Sequence, residues 1–150
     1  MTPAQQSALE ALVGRALTAD EVAAIGPNVD ARRDDLIEAA LNAGRTKSRA
    51  VPCHLAKKLL IKRGKWRGIV LASQNDQHAA VESAYSAVAL AEDARMEADF
   101  CDASAAGLMQ PLITSGLLTA EDAAALQAMC TVPDPIPREA ISRALNKVAA

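Results

Sequence analysis

The residues of this chain that could do chemistry are few and lie far apart. Its three cysteines are Cys53, Cys101 and Cys130, and they form no CxxC pair and no Cys/His ligand spacing. His54 follows Cys53 directly, but neighbouring residues of a helix point about 100° apart, so position alone does not make them a nucleophile and its base. We expect reduced thiols with packing roles, in a protein made in the cytosol.

His78 is the other candidate, since it lies close to Asp76 and Glu82. One histidine and two flexible acids are a weak indication of a metal site. No GxGxxG, GxxxxGK(S/T) or GxSxG sequence occurs. Residues 64–68, Gly-Lys-Trp-Arg-Gly, could bind an anion, but a turn between short helices is the favoured interpretation. We therefore predict no catalytic residue, no metal, no cofactor and no small-molecule substrate, and hence that the protein is not an enzyme.

Charge is segregated along the chain, although the net charge is only -2. Residues 39–75 carry nine basic and no acidic side chains, whereas 1–38 and 76–102 are acidic. The nine cations fall in a loop and two predicted short helices, where they make a strong local field. They are Arg45, Lys47, Arg49, Lys57, Lys58, Lys62, Arg63, Lys65 and Arg67.

Three interpretations of this basic segment, residues 45–67, are open. It faces acidic helices of the same chain, chiefly the one after Asn75. It docks on an acidic face of a neighbouring copy or of another protein, where alternating charge would fix the orientation between copies. Or it contacts nucleic acid phosphates. The acidic pI of about 5.7 and the single Trp66, which offers no stacking platform, weigh against nucleic acid.

Composition and periodicity predict an all-α fold. The chain has 34 alanines and only one Phe, one Tyr and one Trp. Alanine is the best helix former but buries little area, so the core must come from Leu, Ile, Val and Met with close helix contacts. We predict a compact bundle of about seven to eight short helices with one longer central helix at about 75–98. The predicted inner face of that helix carries Val81, Tyr85, Val88 and Met96, together with Ala84 and Ala91.

Capping patterns predict where several helices begin. Thr2 and Thr18 each start a capping box, in which the residue three positions later is Gln or Glu, and residues 119–122 are predicted to open a further helix. Pro52 is predicted to open a helix that runs to about Lys62, and a further short helix is predicted from about residue 65 to 73.

Prolines predict where helices end or bend. The helix after Thr18 is predicted to end by Gly26-Pro27, because proline disfavours a helical residue before it. Pro111 is predicted to kink a helix over about 103–115 without breaking it, since Gly107 can yield to the proline ring. Residues 132–137 are predicted to form a stiff, extended connector.

We predict a single domain over residues 1–150, with two similar helix–loop–helix segments at 17–42 and 118–146. Leu-Thr-Ala-Asp-Glu begins the first and Leu-Thr-Ala-Glu-Asp the second, and Ala-Leu-Asn ends both. A duplicated or structurally equivalent pair is one explanation. Chance recurrence of good caps and Ala-Leu patterns in an alanine-rich chain is the other.

The sequence gives no indication of a membrane partner. It has no run of 18 apolar residues, so no transmembrane helix is expected. Residues 1–6 lack the basic and apolar regions of a signal peptide.

Three stretches resemble small alanine-rich helical proteins encoded by tailed bacteriophages. Residues 39–47, Ala-Ala-Leu-Asn-Ala-Gly-Arg-Thr-Lys, look like the AxxLNxGRTK stretch of those proteins. Residues 118–126 resemble their next shared segment, and Val-Pro-Asp-Pro-Ile at 132–136 with Ser-Arg-Ala-Leu at 142–145 resembles their C-terminal end. The resemblance covers residues 17–47 and about the last third of the chain, and residues 50–100 depart from it. It implies a minor virion component and supplies no active site.

These observations together predict a structural or adaptor component of a tailed-phage virion, in the capsid or tail, that acts by protein–protein assembly. The expected partners are other virion proteins and copies of itself, with the basic segment and the terminal helices as contact surfaces. The expected location is the virion, after synthesis in the host cytoplasm. The alternative is a small nucleic-acid-associated protein that uses residues 45–67.

Overall fold

The computed structural model describes residues 1–149. Within them the chain forms nine α-helices and four strands of two or three residues, which confirms the all-α class. The elements are α1 (Pro3–Val13), α2 (Ala19–Asp30), α3 (Asp34–Asn42), β1 (Thr46–Ser48), β2 (Val51–Pro52), α4 (Cys53–Lys62), α5 (Trp66–Ser73), α6 (Val81–Glu92), β3 (Glu97–Ala98), α7 (Ala103–Thr114), α8 (Ala120–Cys130), β4 (Thr131–Pro133) and α9 (Arg138–Ala149). None of these helices is long and apolar enough to cross a membrane.

The chain divides into two compact units. Unit 1 comprises Met1–Thr46 and the chain from Pro133 onward, and unit 2 is the continuous segment Lys47–Val132. The single-domain prediction therefore stays a prediction. The predicted helix–loop–helix segment at 118–146 is divided, because α8 belongs to unit 2 and α9 to unit 1.

Unit 1 is built from α1, α2, α3 and α9. Helix α1 packs on α9, and α3 packs on both α2 and α9. Its core is aliphatic, as expected from a chain so poor in aromatic residues. Its fully buried side chains are Leu9, Ile25, Val29, Ile37, Ile141 and Leu145.

Unit 2 contains α4 to α8 and the short antiparallel pair of β2 and β3. Val51 pairs with Ala98, and Pro52 with Glu97. The core combines aliphatic side chains with Phe100 and several alanines. The small alanine side chains let α6 approach α5, α4 and α7 closely.

The two predicted capping boxes, at Thr2 and Thr18, are present, and the helix predicted to open at Thr119 also begins with one. The hydroxyls of Thr2, Thr18 and Thr119 each accept a hydrogen bond at 3.2 Å from the backbone N–H three residues later. In each case the side chain at that third position accepts from the backbone N–H of the threonine. The predicted helices over 52–62 and 65–73 are also confirmed, as α4 and α5.

The predicted long helix at 75–98 is wrong, because α6 covers only Val81–Glu92. Before α6, His78 Nδ1 accepts from Ala80 N at 3.0 Å. After it, Asp93 Oδ1 accepts from Arg95 N at 2.9 Å. Such local bonds between side chain and backbone compete with the helical ladder and end it. Residues 97–98 then join β2 as strand β3.

The predicted inner face of α6 is confirmed in part. Ala84 and Ala91 are buried as predicted, and Val81 and Val88 are partly buried. The prediction is wrong at Tyr85, which is 67% exposed, and at Met96, which lies outside the helix. The small alanine side chains suit the close approach of α6 to three neighbouring helices.

One of the two proline predictions is wrong. Helix α2 continues through Pro27 to Asp30. The residue before this proline is Gly26, which has no Cβ to clash with the proline ring, and this relieves the usual restriction. Helix α7 continues through Pro111 as predicted. Gly107, one turn earlier, leaves open space around the position of a Cβ.

Candidate functional site

The nine predicted site residues are divided between the two units. Arg45 belongs to unit 1, whereas the other eight belong to unit 2. In unit 2, Lys47 lies on β1 and Arg49 follows it. The remaining cations lie on α4, on α5 or in the turn between them, and they are Lys57, Lys58, Lys62, Arg63, Lys65 and Arg67.

Two of these cations bind a buried carboxylate that the sequence analysis did not single out. Asp122, at the start of α8, is 1% exposed. Its Oδ1 accepts from Arg63 Nε at 2.5 Å, and its Oδ2 lies 3.7 Å from Lys65 Nζ. These two cations thus bind an acid of α8, not one of the acidic stretch after Asn75.

Asp122 also completes the capping box of α8. Its Oδ2 accepts from the backbone N–H and the hydroxyl of Thr119, both at 2.9 Å. Burial raises the pKa of Asp122, but the hydrogen bonds from Arg63 and Thr119 outweigh it and hold the pKa at about 2. The carboxylate is therefore charged at neutral pH and ties the α4–α5 turn to α8.

The turn between α4 and α5 is a structural element, as the favoured interpretation of residues 64–68 predicted. Gly64 takes a positive φ of 72°, which glycine adopts without strain, and this reverses the chain after α4. Lys57 Nζ lies 5.5 Å from the centroid of the Trp66 ring, within range of a cation–π contact. Trp66 is thus engaged by the chain's own lysine.

Arg45 hydrogen-bonds to both chain segments of unit 1. Its guanidinium donates to Val13 O at 3.0 Å and to Asp134 O at 2.9 Å. Nearby, Asn42 Nδ2 donates to Ile136 O at 3.0 Å, and Ile136 N donates to Asn42 Oδ1 at 2.7 Å. The stretch at 39–47 and the Pro-Asp-Pro-Ile stretch thus bind each other, which gives a structural reason for their residue types.

Lys58, Lys62 and Arg67 make no ion pair with any residue of the described chain, and all three are exposed. Arg49 is exposed as well, and its charge lies near Cys130. These exposed cations stay hydrated, so the absence of an ion pair costs little free energy. They remain available to a partner.

The outer face of α4 combines two of these cations with apolar side chains. Leu55 is 37% exposed and Ile61 is 53% exposed. Lys58 and Lys62 lie between and beside them at helical spacing. We call the face formed by Leu55, Lys58, Ile61 and Lys62 the α4 outer face. Its mixture of exposed aliphatic groups and cations is typical of an interaction surface.

An apolar pocket of about 530 Å³ opens in unit 2. Its size lies within the usual range of ligand pockets. Helices α4 to α8 contribute to its walls, and side chains that line its apolar interior are Leu60, Ile69, Phe100, Met109, Leu112 and Leu126.

Acidic residues stand at the mouth of this pocket. Glu97 and Asp102 are exposed and Asp99 is half-buried. The Ser48 hydroxyl, 2.6 Å from Asp99 Oδ2, and the backbone N–H of Cys101 hold the pKa of Asp99 below its ordinary value. The one cation of the lining is Lys57, which is already placed over Trp66. The mouth is therefore negative.

The cysteines are free thiols, as predicted for all three. Cys53 and Cys130 are buried, and burial raises the pKa of both thiols. A raised pKa keeps a thiol protonated at neutral pH, where it is a poor nucleophile. Cys53 is buried while His54 beside it is exposed, so the two are not brought together. No cluster of His, Cys, Asp or Glu among residues 1–149 has the grouping that a metal ion needs.

Sequence reasoning missed Asp122 and the pocket. A signal for Asp122 was present, because residues 119–122 were predicted to open a helix, but the capping role of Asp122 was not identified and its burial depends on the fold. The pocket joins residues from five helices and has no local signature. Comparisons with known protein families, known proteins and solved structures found no match for this chain.

Proposed function

We propose that this chain is a structural or adaptor component of a tailed-phage virion that works by binding copies of itself and other virion proteins. The observation that carries the proposal is the α4 outer face, where Leu55 and Ile61 are exposed beside two cations that make no ion pair within the described chain. An exposed patch of this composition gains apolar burial when a partner covers it, and the cations select an acidic partner.

The chain itself carries acidic surface of the kind this face would bind. The outer side of α6 carries Glu82 and Glu92 with the exposed Tyr85 between them. Tyrosine is favoured at interfaces because its large ring brings contact area at little entropic cost. Opposite charges on separate helices of one unit allow copies to associate in a fixed orientation.

The resemblance to phage virion proteins supports the particle context of the proposal. Its stretches at 39–47 and 132–136 supply the Asn42–Ile136 and Arg45–Asp134 contacts of unit 1. A shared need for those contacts would explain similar residues at these positions. We accordingly propose a binding protein without catalytic activity, located in the virion after synthesis in the bacterial cytoplasm.

The alternative, nucleic acid binding through residues 45–67, is favoured by the exposed Lys58, Lys62 and Arg67. It is weakened because Arg45, Arg63 and Lys65 already bind groups of the chain. Salt separates the two cases. Phosphate contacts predict a steep linear fall of the logarithm of the affinity with the logarithm of the salt concentration.

The first test is quantitative mass spectrometry of gradient-purified particles of the phage that encodes the chain. The proposal expects a fixed ratio to the major capsid protein, well above contaminating host proteins. Absence from particles, with abundant protein in the infected lysate, would overturn it. A double charge reversal, Lys58→Glu with Lys62→Glu, is then expected to reduce incorporation.

A matched control is available outside the predicted contact surfaces. Arg32→Glu with Arg33→Glu makes the same change in net charge at two exposed residues of unit 1, between α2 and α3. Incorporation of this control is expected to be unchanged. Equal loss in both double variants would mean that net charge, and not the α4 outer face, governs incorporation.

A further inference from the structure

The pocket of unit 2 is built to hold an apolar group. Its walls are aliphatic and aromatic, and Leu60, Phe100 and Met109 face the same space of about 530 Å³. Water in such a space finds few hydrogen-bond partners, and the lining side chains lose dispersion contacts where no atom faces them. Displacement of this water and restoration of the dispersion contacts therefore both favour the binding of an occupant with aliphatic side chains.

The mouth of the pocket selects the charge of the occupant. Glu97, Asp99 and Asp102 line the pocket from one segment of the chain, 97–102, while Lys57 is engaged by Trp66. The field at the mouth is also felt inside the pocket, because the charge of Glu97 adds to burial in raising the pKa of the Cys53 thiol. An apolar group flanked by positive charges fits this mouth best.

The chain carries a surface with that chemistry, the α4 outer face. Leu55 and Ile61 supply exposed aliphatic side chains, and Lys58 and Lys62 supply charges on the same side of the helix. An amphipathic helix that lays its apolar residues into a groove is a common mode of recognition. The α4 outer face cannot fill the pocket of its own chain, because Cys53, Ala56 and Leu60 on the opposite side of α4 form part of the pocket wall.

We propose that the pocket of unit 2 receives the α4 outer face of a second copy of this chain. Leu55 and Ile61 of the second copy enter the apolar space, and its two lysines lie against the carboxylates at the mouth. The inference rests on the proposed function, since it names the partner and the acceptor site for the same surface. It makes the interface head-to-tail, with a donor face and an acceptor pocket on every copy.

Two variants of the full chain separate the donor from the acceptor. The donor variant carries Lys58→Glu and Lys62→Glu. The acceptor variant carries Leu90→Asn and Leu108→Asn in the lining of the pocket, which leave the acidic mouth unchanged, and it also carries Trp66→Phe. Sedimentation velocity measures association, and far-ultraviolet circular dichroism confirms that each variant is folded. Each variant alone is expected to be monomeric where the unaltered chain associates.

Mixing the two variants restores one intact donor and one intact acceptor. The expected product is a one-to-one dimer that does not grow further, with self-association of each variant weaker than this pairing by about tenfold or more. The pocket of the donor variant contains the only tryptophan in the mixture. Its fluorescence emission is expected to change on pairing. A dimer without that change would place the contact elsewhere and overturn the inference.

Filling the pocket gives a test that leaves the charges untouched. Ala105 is buried in the lining, whereas Ala106 beside it on α7 is exposed. Ala105→Phe is expected to abolish association, and Ala106→Phe is expected to leave it unchanged.

If the charge-reversed donor variant is monomeric while the acceptor and Ala105→Phe variants associate like the unaltered chain, the α4 outer face binds another site. That result sinks this inference and leaves the proposed function standing. A chain that is monomeric at all concentrations and missing from particles would sink both.

Discussion

Asp122 shows how one buried carboxylate links two elements. It accepts from Arg63 across a distance of 2.5 Å and from Thr119 at the start of its own helix. A buried charge is costly unless it is fully hydrogen-bonded, and here both oxygens have donors. The pKa of about 2, against 3.8 for an ordinary aspartate, measures how strongly these donors favour the charged form.

This pKa predicts the pH dependence of stability. Because the folded pKa lies below the unfolded one, the charged carboxylate stabilises the fold above about pH 4, and the stabilisation is lost as the pH falls toward about 2. The loss attributable to Asp122 is about 2 kcal/mol. Asp122→Asn is expected to be less stable at pH 6 and to approach the unaltered chain at pH 3, in urea unfolding followed by Trp66 fluorescence.

The comparison isolates Asp122, because the other carboxylates titrate in both proteins. Asp76→Asn, at an exposed position, is the control and should track the unaltered chain at both pH values. A stability gap that is the same at pH 6 and pH 3 would show that the loss in Asp122→Asn comes from packing and not from charge.

Asn42 is a second residue whose side chain links distant parts of the chain. Its amide satisfies both the N–H and the C=O of Ile136, at 2.7 and 3.0 Å. Asn42→Ala leaves both groups without these partners and is expected to cost about 2 kcal/mol of the free energy of unfolding. Asn146→Ala is the matched change, because Asn146 ends the other Ala-Leu-Asn triplet and accepts a single exposed hydrogen bond from Arg32. It is expected to cost about 0.5 kcal/mol or less.

At the scale of elements, the capping boxes at Thr18 and Thr119 have the same pattern of residues, but the acid of the second box is buried. In the first, Glu21 pairs with exposed Arg15 at 2.6 Å. In the second, Asp122 is buried and needs both donors of Thr119. Thr18→Ala is expected to cost about 1 kcal/mol, as a typical cap does. Thr119→Ala is expected to cost about 2 kcal/mol, because a hydrogen bond to a buried charge is lost as well.

Urea unfolding at neutral pH checks this order, with circular dichroism as the probe for both variants. Replacing each threonine by serine keeps the capping hydroxyl and provides the control. Equal losses for the two alanine variants would mean that the burial of Asp122 adds nothing to its cap.

The same elements show what the sequence can predict. The all-α class, the three capped helix starts and the path of α7 through Pro111 follow from short-range rules that involve a few neighbouring residues. The predictions for α2 and α6 are wrong because specific neighbouring residues change the outcome of the short-range rule. Gly26 removes the clash with Pro27, and the bonds of His78 and Asp93 to the backbone end α6 at both sides.

The candidate site was predictable only in part. The basic segment was visible in the sequence, but the division of its cations between structural pairs and exposed charges was not. That division depends on contacts such as Arg63–Asp122, which join residues far apart in the chain. Tyr85 was predicted on the inner face of α6 because of its helical spacing, yet only Ala84 and Ala91 of that predicted face are buried, and the Tyr85 ring is exposed.

At the scale of the whole molecule, the proposed donor face and acceptor pocket, both on unit 2, would constrain the assembly. Copies that share a symmetric patch close into dimers, whereas a head-to-tail contact continues from copy to copy. It yields a closed ring if the rotation between copies completes a circle, and a filament otherwise. Rings and helical tubes are both suited to the repeated structure of a particle, and electron microscopy of the associated protein distinguishes them.

Because the chain divides into two units, unit 2 is expected to fold in the absence of unit 1. Unit 2 is continuous, from residue 47 to 132, and has its own core around Ile69, Phe100 and Leu126. Domains with a separate core can fold alone, so the isolated segment 47–132 is expected to be helical and to unfold cooperatively in urea, with Trp66 as the probe.

Unit 1 can be tested in the same way although its chain is interrupted. Arg45 O accepts from Asp134 N at 3.3 Å, so the two parts of the unit meet where unit 2 is inserted. Joining residues 1–46 to 133–150 through a short Gly/Ser linker should therefore preserve the core around Ile37 and Leu145. If either piece lacks a cooperative transition while the full chain has a single one, the two units fold as one, as the single-domain prediction requires. Two separate transitions, each matching the midpoint of an isolated piece, would instead establish two domains, with the proposed assembly surface on the inserted one.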